Sequence, residues 1–187
     1  MNKIAIFASG NGSNFQAIID ETEQGKLNVE IEILVTDKPD CFATKRAKNH
    51  NIPVFSFVPK NYASKEEYEK EIASVLIEKN VSLLVLAGYM RLIGDVLLNQ
   101  FRNRIINIHP ALLPAFPGKN AIQQAFQYGV KVFGVTVHFV DEGVDTGTII
   151  AQECFKVEGK ETLAEIEQKI HAIEYELYPK VINTILS

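Results

Sequence analysis

The stretch NIHPALLP, residues 107–114, places two polar side chains at the end of an apolar run. Residues two apart on a strand share one face of a sheet, so Asn107 and His109 are expected to point the same way. An asparagine amide and a protonated imidazole are both hydrogen-bond donors, and two converging donors stabilise an oxyanion. The alternative is that Asn107 caps a turn and His109 is a satisfied, partly buried histidine. The octapeptide alone leaves both interpretations open.

A carboxylate suited to this imidazole occurs in DEGVDTG, residues 141–147. Asp145 is a candidate to accept a hydrogen bond from the imidazole and stabilise its charged form, which would complete an acid/base pair. Aspartate and glycine are also common turn residues, and that interpretation fits the first three residues of the loop at least as well. His138, on the preceding strand, is expected to have a half-buried structural role.

A second candidate site is SGNGSN, residues 9–14, here called the glycine loop. Glycines allow a tight turn, and the free N–H groups of a following helix favour an anion such as phosphate. An ordinary strand-to-helix turn is the alternative. A dinucleotide fingerprint needs a small residue where Phe15 stands, but Asp37 lies about where a ribose-binding acid would be. A nicotinamide-nucleotide-binding protein therefore remains a further alternative.

These residues need a scaffold that brings strand ends together, and the alternation of short apolar runs with helical periodicity predicts one. We predict an α/β fold with a three-layer, mostly parallel, doubly wound sheet, an antiparallel portion in the C-terminal part and a long C-terminal helix. Two strands flanking DEGVDTG form the antiparallel portion. Three capping-box patterns, beginning at Ser13, Ser64 and Thr162, mark helix starts. The predicted strands are 3–8, 30–36, 54–57, 83–87, 105–109, 132–140 and 148–156, and the predicted helices are about 14–23, 65–79 and 163–185.

The composition limits the class of protein. The chain has 187 residues, 47% of them hydrophobic, with a formal net charge of -4. Without clustered Lys and Arg, a nucleic-acid partner is not expected, and small molecules are the expected ligands. Cys41 and Cys154 have no metal-ligand or disulfide spacing and are predicted to be buried free thiols. A short apolar N-terminal run and the lack of a membrane-length apolar stretch predict a cytoplasmic protein without a membrane partner.

Four motifs together resemble the phosphoribosylglycinamide formyltransferases, and the resemblance runs nearly end to end. They are SGNGSN, LAGYMRLI at 86–93, NIHPALLPAFPG at 107–118 and GVTVHFVDEGVDTG at 134–147. The resemblance implies a Rossmann-like formyltransferase fold and transfer of a formyl group from 10-formyltetrahydrofolate, a co-substrate, to the amine of glycinamide ribonucleotide. It also implies that no metal is needed. We expect one domain, 1–187, with a nucleotide-binding half of about 1–100 and a catalytic, folate-binding half of about 101–187.

The resemblance also implies roles for individual residues. The catalytic residues would be Asn107, His109 and Asp145, and the Leu113–Pro114 peptide bond would be cis. The ribonucleotide would bind to Gly10, Asn11, Gly12, Ser13, Asn14 and Glu174. The folate would bind to Lys65, Met90, Arg91, Leu92, Ile93, Asn107, Asp141, Glu142, Gly143, Val144 and Asp145. From residue types alone, the segment 90–93 could line a flat apolar pocket, but such residues more often belong to the core.

Departures from the family pattern occur at Lys119 and Asn120, where histidines are common, at Thr148 in place of proline, and at Lys65, where some members have arginine. These affect peripheral contacts rather than the catalytic trio. Two other enzymes of this fold are alternatives: methionyl-tRNA formyltransferase, which carries an extra C-terminal domain and needs a basic RNA surface, and formyltetrahydrofolate hydrolase, which carries an extra N-terminal domain. A monomer and a homodimer are both compatible with the sequence.

Overall fold

The apolar runs of the sequence form one seven-stranded sheet in the computed structural model, which describes residues 1–187. The strand order is β3-β2-β1-β4-β5-β6-β7. Strands β1 to β5 are parallel, whereas β6 is antiparallel to both β5 and β7. The predicted fold class is therefore confirmed. The strands are β1 Asn2–Phe7, β2 Val29–Thr36, β3 Val54–Ser56, β4 Leu83–Leu86, β5 Ile105–His109, β6 Val132–Phe139 and β7 Ile149–Lys156.

Helices cover both faces of this sheet. They are α1 Ser13–Glu23, α2 Phe42–Asn49, α3 Lys65–Glu78, α4 Asp95–Gln100, α5 Ala121–Tyr128 and α6 Leu163–Leu186, with a 3₁₀ turn at Pro59–Asn61. Successive residues of β1 enter different cores, with Ile4 and Ile6 in one and Ala5 and Phe7 in the other. This alternation is what a central strand buried on both faces requires. The strand order reverses between β1 and β4, and the carboxyl edge at such a switch point is where open α/β sheets bind ligands.

The helix starts follow the capping patterns only in part. Thr162 forms the complete predicted capping box with Glu165, and the Ser64 side chain accepts from the Glu67 backbone amide. The predicted cap at Ser13 is wrong, because α1 begins at Ser13 itself, after Gly12 in a left-handed conformation and with no side-chain cap. The first N–H groups of α1 are consequently left open.

Three helices were missed from the sequence, namely α2, α4 and α5. Each has only six to eight residues, which is too short for periodicity to identify with assurance. The prediction of two buried thiols is also wrong: Cys41 is half-buried and Cys154 is exposed. Cys154 lies on β7, which forms an edge of the sheet and has its middle exposed. None of the helices combines the length and the apolar character needed to cross a membrane.

Candidate active site

The Asp145 carboxylate lies at the centre of the predicted catalytic residues. Its Oδ1 atom accepts a long hydrogen bond of 3.4 Å from the Asn107 amide and lies 3.4 Å from Nε2 of His138. Its Oδ2 atom lies 3.3 Å from Nδ1 of His109 and accepts a 2.7 Å hydrogen bond from the Gly118 backbone amide. The structure thus brings the three predicted catalytic residues together around one carboxylate.

The strand register explains this arrangement. Asn107 and His109 lie on β5, opposite His138 and Thr136 of the antiparallel strand β6. The loop after β6 brings Asp145 back beside Asn107 and His109 of β5. Asp145 has φ 54°, a left-handed conformation that aspartate adopts more readily than most residues. Backbone strain of this kind occurs where the surrounding contacts fix a side chain.

The pKa of Asp145 lies below its ordinary value of 3.8. Burial by itself would raise this pKa, but the hydrogen bonds from His138 and the Gly118 amide, together with the charges of His109 and His138, outweigh burial. The group therefore remains a carboxylate at neutral pH, as a partner for a cationic imidazole must.

His109 is almost fully buried, at 4% exposure, and both of its ring nitrogens face oxygen atoms. The Phe116 carbonyl can only accept, so the Nε2–H of His109 donates to it, at 2.8 Å. Nδ1 faces the Asp145 carboxylate. The imidazolium is the form that offers a proton to both oxygens. In this conformation the Nε2–H group is directed at the loop, rather than beside the Asn107 amide as the strand spacing predicted.

Thr136 holds the loop that follows His109. It is fully buried, its hydroxyl donates to the Ala111 carbonyl at 2.7 Å, and it accepts from the Leu113 amide at 3.1 Å. Gln152 of β7 donates to both the Leu113 carbonyl and the Thr136 hydroxyl. The Leu113–Pro114 peptide bond is cis, as predicted. Strands β6 and β7 thus fix the backbone that leaves the active site.

His138 lies at the site, although the sequence predicted a structural role for it. It is buried rather than half-buried, at 2% exposure, and its Nδ1–H donates to the Phe139 carbonyl at 2.7 Å. Its Nε2 atom lies 3.4 Å from Asp145 and 3.3 Å from the Asn107 amide nitrogen; it donates to Asp145 when the ring is protonated and accepts from Asn107 when the ring is neutral. Its position two residues after Thr136 was visible in the sequence, but only the pairing of β6 with β5 reveals that it faces Asp145.

The glycine loop ends in an open helix start. The backbone N–H groups of Gly12, Ser13 and Asn14 donate to no protein acceptor, and such groups are the donors that bind anions at helix N-termini. The Asn14 side chain donates to Glu174 of α6 at 3.3 Å, and its Oδ1 atom is buried without a partner. A buried polar atom without a partner is uncommon and indicates a ligand or water position.

Glu174 is a buried carboxylate, at 4% exposure, and it accepts a 2.8 Å hydrogen bond from Nδ1 of His171. The hydrogen bond to Glu174 raises the pKa of His171 above its ordinary value of 6.5, against the opposing effect of burial. His171 was not identified from the sequence, although its three-residue spacing from Glu174 on a helix was a usable signal.

Residues 90–93 connect to the glycine loop through Asp37. The Ser9 hydroxyl donates to Asp37 at 2.5 Å and Nε of Arg91 donates to it at 2.8 Å. The Ser9 hydroxyl also accepts from the Met90 amide at 3.0 Å. The Asp37 side chain is only 3% exposed and each of its oxygens is bonded to a protein group, so it is not open to a nucleotide ribose as the nicotinamide alternative requires.

A small cavity of about 90 Å³ lies beside Asp145 and is open to solvent on one side. Predicted folate-binding residues dominate its wall, and Leu92 and Val144 expose apolar surface there. The lining residues are Leu86, Tyr89, Arg91, Leu92, Ile93, Asn107, His138, Val140, Asp141, Gly143, Val144 and Asp145.

The remaining predicted residues take up neighbouring positions. Met90 is largely exposed, and Lys65 begins α3 close to Gly94. Asp141 accepts from the Gly143 amide and the Thr146 hydroxyl, which closes the turn around Glu142. No cluster of three or more His, Cys, Asp or Glu side chains is arranged to hold a metal ion, and the expectation of a metal-free reaction stays a prediction.

Glu69 holds the start of α4, directly after the cavity-lining residues 91–93. It is a buried carboxylate on α3, at 2% exposure, and it accepts from the Gly94 amide at 2.6 Å and from the Leu97 amide at 3.5 Å. These are N–H groups at the start of α4, so a side chain from another helix provides the cap. A Cβ atom at Gly94 would lie 2.8 Å from both the Glu69 carboxylate and Lys65. The close contact between α3 and the start of α4 therefore requires glycine at position 94.

Replacing Glu69 with glutamine is expected to cost less stability as the pH rises. Burial raises the pKa of Glu69 above its ordinary value of 4.5, against the hydrogen bonds that favour its charge. Folding therefore favours the protonated form, a contribution that is complete below 4.5 and is lost as the pH rises through the folded-state pKa. The free energy of unfolding of the native chain minus that of E69Q should fall across this window, as measured by urea denaturation.

The matched control is Glu78→Gln, because Glu78 lies on the same helix and is exposed. The free energy of unfolding of the native chain minus that of E78Q should not fall with pH as the E69Q difference does. A native-minus-E69Q difference that grows with pH would contradict the assignment.

Comparison with known proteins places this geometry in a family. Residues 2–182 match the family described as formyl transferase. The chain therefore belongs to the formyl transferase family, and it is a formyl-transferring enzyme. It is 51% identical over 186 residues to phosphoribosylglycinamide formyltransferase of Bacillus subtilis (strain 168), an alignment that covers 100% of this chain and 95% of the relative.

Solved structures agree with this relationship. Phosphoribosylglycinamide formyltransferase from Bacillus halodurans is 52% identical, with a TM-score of 0.95 and coverage of 100% of this chain and 96% of that chain. Glycinamide ribonucleotide transformylase 1 from Geobacillus kaustophilus is 48% identical, with a TM-score of 0.97 and full coverage of both chains. The resemblance inferred from the four motifs is confirmed.

Proposed function

We propose that this enzyme transfers the formyl group of 10-formyltetrahydrofolate to the primary amine of N1-(5-phosphoribosyl)glycinamide, giving the N-formyl product and tetrahydrofolate in purine synthesis. The observation that carries the proposal is the Asp145 carboxylate, which meets both Asn107 and His109 at the sheet edge that also holds the glycine loop. The two substrates then meet between the glycine loop and the cavity lined by residues 90–93 and 141–145.

The reaction begins when the substrate amine attacks the formyl carbon, forming a new C–N bond and placing negative charge on the formyl oxygen. The Asn107 amide and the Nε2–H group of protonated His109 stabilise that oxyanion. For His109 to do so, the formyl oxygen replaces the Phe116 carbonyl as the acceptor of the 2.8 Å hydrogen bond. The intermediate collapses when the bond from the formyl carbon to the folate nitrogen breaks.

Asp145 has two tasks in this scheme. Its charge stabilises the imidazolium of His109, 3.3 Å away, and a water molecule beside it carries the amine proton to the departing folate nitrogen. His138 and the Gly118 amide hold the carboxylate in place and favour its ionised form. No covalent enzyme intermediate is needed, because the amine itself is the nucleophile.

Substrate binding follows the two halves of the site. The open N–H groups of Gly12, Ser13 and Asn14 bind the phosphate of the ribonucleotide, and Glu174 binds its ribose or glycinamide part. The pterin lies against the backbone of residues 90–93 and 141–145, and Lys65 lies near the folate. We further propose one domain with an N-terminal nucleotide-binding half and a C-terminal catalytic half, in a cytoplasmic monomer or homodimer.

A formyl-transfer assay tests this function. The purified protein is given 10-formyltetrahydrofolate with glycinamide ribonucleotide, with formylatable tRNA, or with no acceptor, and tetrahydrofolate is measured together with the formylated product. Turnover only with the ribonucleotide is expected. Formylation of tRNA, or release of formate without an acceptor, would favour the tRNA formyltransferase or the hydrolase instead, and measurable NAD binding would revive the nucleotide-binding alternative.

A further inference from the structure

Arg46 of α2 clamps the glycine loop with all three nitrogens of its guanidinium. Nε donates to the Asn11 carbonyl at 2.8 Å and Nη2 donates to the Asn11 side-chain oxygen at 2.8 Å. Nη1 donates to the Gln16 side chain on α1 at 3.0 Å. A planar fork that engages one residue twice fixes orientation as well as position. Arg46 therefore links the glycine loop and α1 to α2.

The contact with the Asn11 carbonyl sets the direction of the next N–H group. The Asn11–Gly12 peptide bond is trans, so its C=O and N–H groups point in opposite directions. With the carbonyl held against Arg46, the Gly12 N–H points away from α2. Like the N–H groups of Ser13 and Asn14, it has no protein acceptor.

Close packing of α2 against the glycine loop brings Arg46 next to Asn11. Gly12 has φ 74°, and a Cβ atom there would lie 2.9 Å from Cβ of Ala43. The Ala43 amide donates to the Gly10 carbonyl at 3.1 Å. Arg46 follows Ala43 by three residues and lies on the same side of α2. A side chain at Gly12 would push the loop off this support.

We propose that Arg46 is a positioning residue that shapes the glycine loop for the phosphate and makes the enzyme depend on the phosphate of its ribonucleotide substrate. The proposal rests on the proposed function, in which this loop binds that phosphate. Arg46 acts through Asn11 and Gly12, because each of its three nitrogens already donates a hydrogen bond to Asn11 or Gln16. Its permanent charge also raises the positive potential beside a site for a dianion.

The test compares Arg46→Met with Arg46→Lys and measures kcat and KM for the ribonucleotide and for the same substrate without its phosphate. In R46M, the KM for the ribonucleotide should rise about 10- to 100-fold, the range for losing hydrogen bonds to a charged group. The kcat, the KM for the formyl folate and the kcat/KM for the dephosphorylated substrate should each change by less than about twofold. R46K keeps the charge but loses the planar guanidinium, so its KM for the ribonucleotide should lie between those of the native chain and R46M.

The matched control is Lys48→Met, which removes one positive charge from the exposed side of the same helix. Its kinetic constants should equal those of the native chain. An equal loss of kcat/KM on the phosphorylated and dephosphorylated substrates, or an unchanged KM in R46M, would overturn the role of Arg46. If R46M does not fold, R46K decides, and a native KM in R46K overturns the proposal. Absence of turnover by the native chain would instead refute the proposed function.

Discussion

Replacing Asn107 with alanine is expected to lower kcat for formyl transfer by about 10²- to 10³-fold, the cost of removing one oxyanion donor. The amide of Asn107 lies next to Asp145 and His138 at the carboxyl end of β5. Because this donor interacts with charge that develops only in the transition state, the KM values should change little. Steady-state kinetics with both substrates varied would measure the effect.

Two further variants sharpen this prediction. Asn107→Asp should be at least as slow as N107A, since it replaces donors with acceptors and puts a second negative charge beside Asp145. Asn183→Ala, on the exposed end of α6, should leave kcat unchanged. A near-native kcat in N107A would remove Asn107 from the mechanism.

His109 and Asp145 are expected to act as one unit. Each of the variants His109→Ala and Asp145→Asn should lower kcat by about 10²- to 10⁴-fold, the usual range for acid/base groups. The double variant should be little worse than the worse single one, because the carboxylate acts through the imidazolium 3.3 Å away. A double-mutant cycle on kcat measures this coupling.

The pH dependence adds an independent check. Since the pKa of Asp145 lies below its ordinary value of 3.8, Asp145 stays ionised from about pH 5 to about pH 9. The defect of D145N should therefore not disappear at the acidic end of that range. Multiplicative losses in the double variant, or a D145N defect that vanishes near pH 5, would show that the two groups act separately. Thermal unfolding of each variant controls for loss of the fold.

The parts of this protein that were predictable depend on short-range patterns. The apolar runs located all seven strands to within one residue at each end, because buried parallel strands need continuous apolar sequence and antiparallel strands still carry runs rich in apolar and β-branched residues. The short helices α2 and α4 escaped prediction, since their positions depend on packing against the loop and on the Glu69 cap more than on periodicity. The wrong cap at Ser13 has a similar cause. The start of α1 is set by the contacts of the loop with Arg46 and Ala43, and not by a cap from the Ser13 side chain.

In the active site, too, short-range patterns were predictable and long-range contacts were not. The spacing of Asn107 and His109 was enough to put both on one face of a strand, because side chains alternate with a period of two. That His138 faces the same carboxylate depends on the pairing of β5 with β6, and the contact between His109 and the Phe116 carbonyl depends on the path of the loop.

The sequence by itself determined the parallel sheet, the loop between β1 and α1, the paired donors at the end of β5 and the family to which they belong. These features are encoded in residues close together along the chain. The tertiary structure alone decided that Asp145 lies within 3.4 Å of polar atoms of four residues, that Asp37 is bonded to Ser9 and Arg91, and that Arg46 supports the glycine loop. Such contacts join residues far apart in sequence, and their geometry is set only when strand register and helix packing bring the elements together.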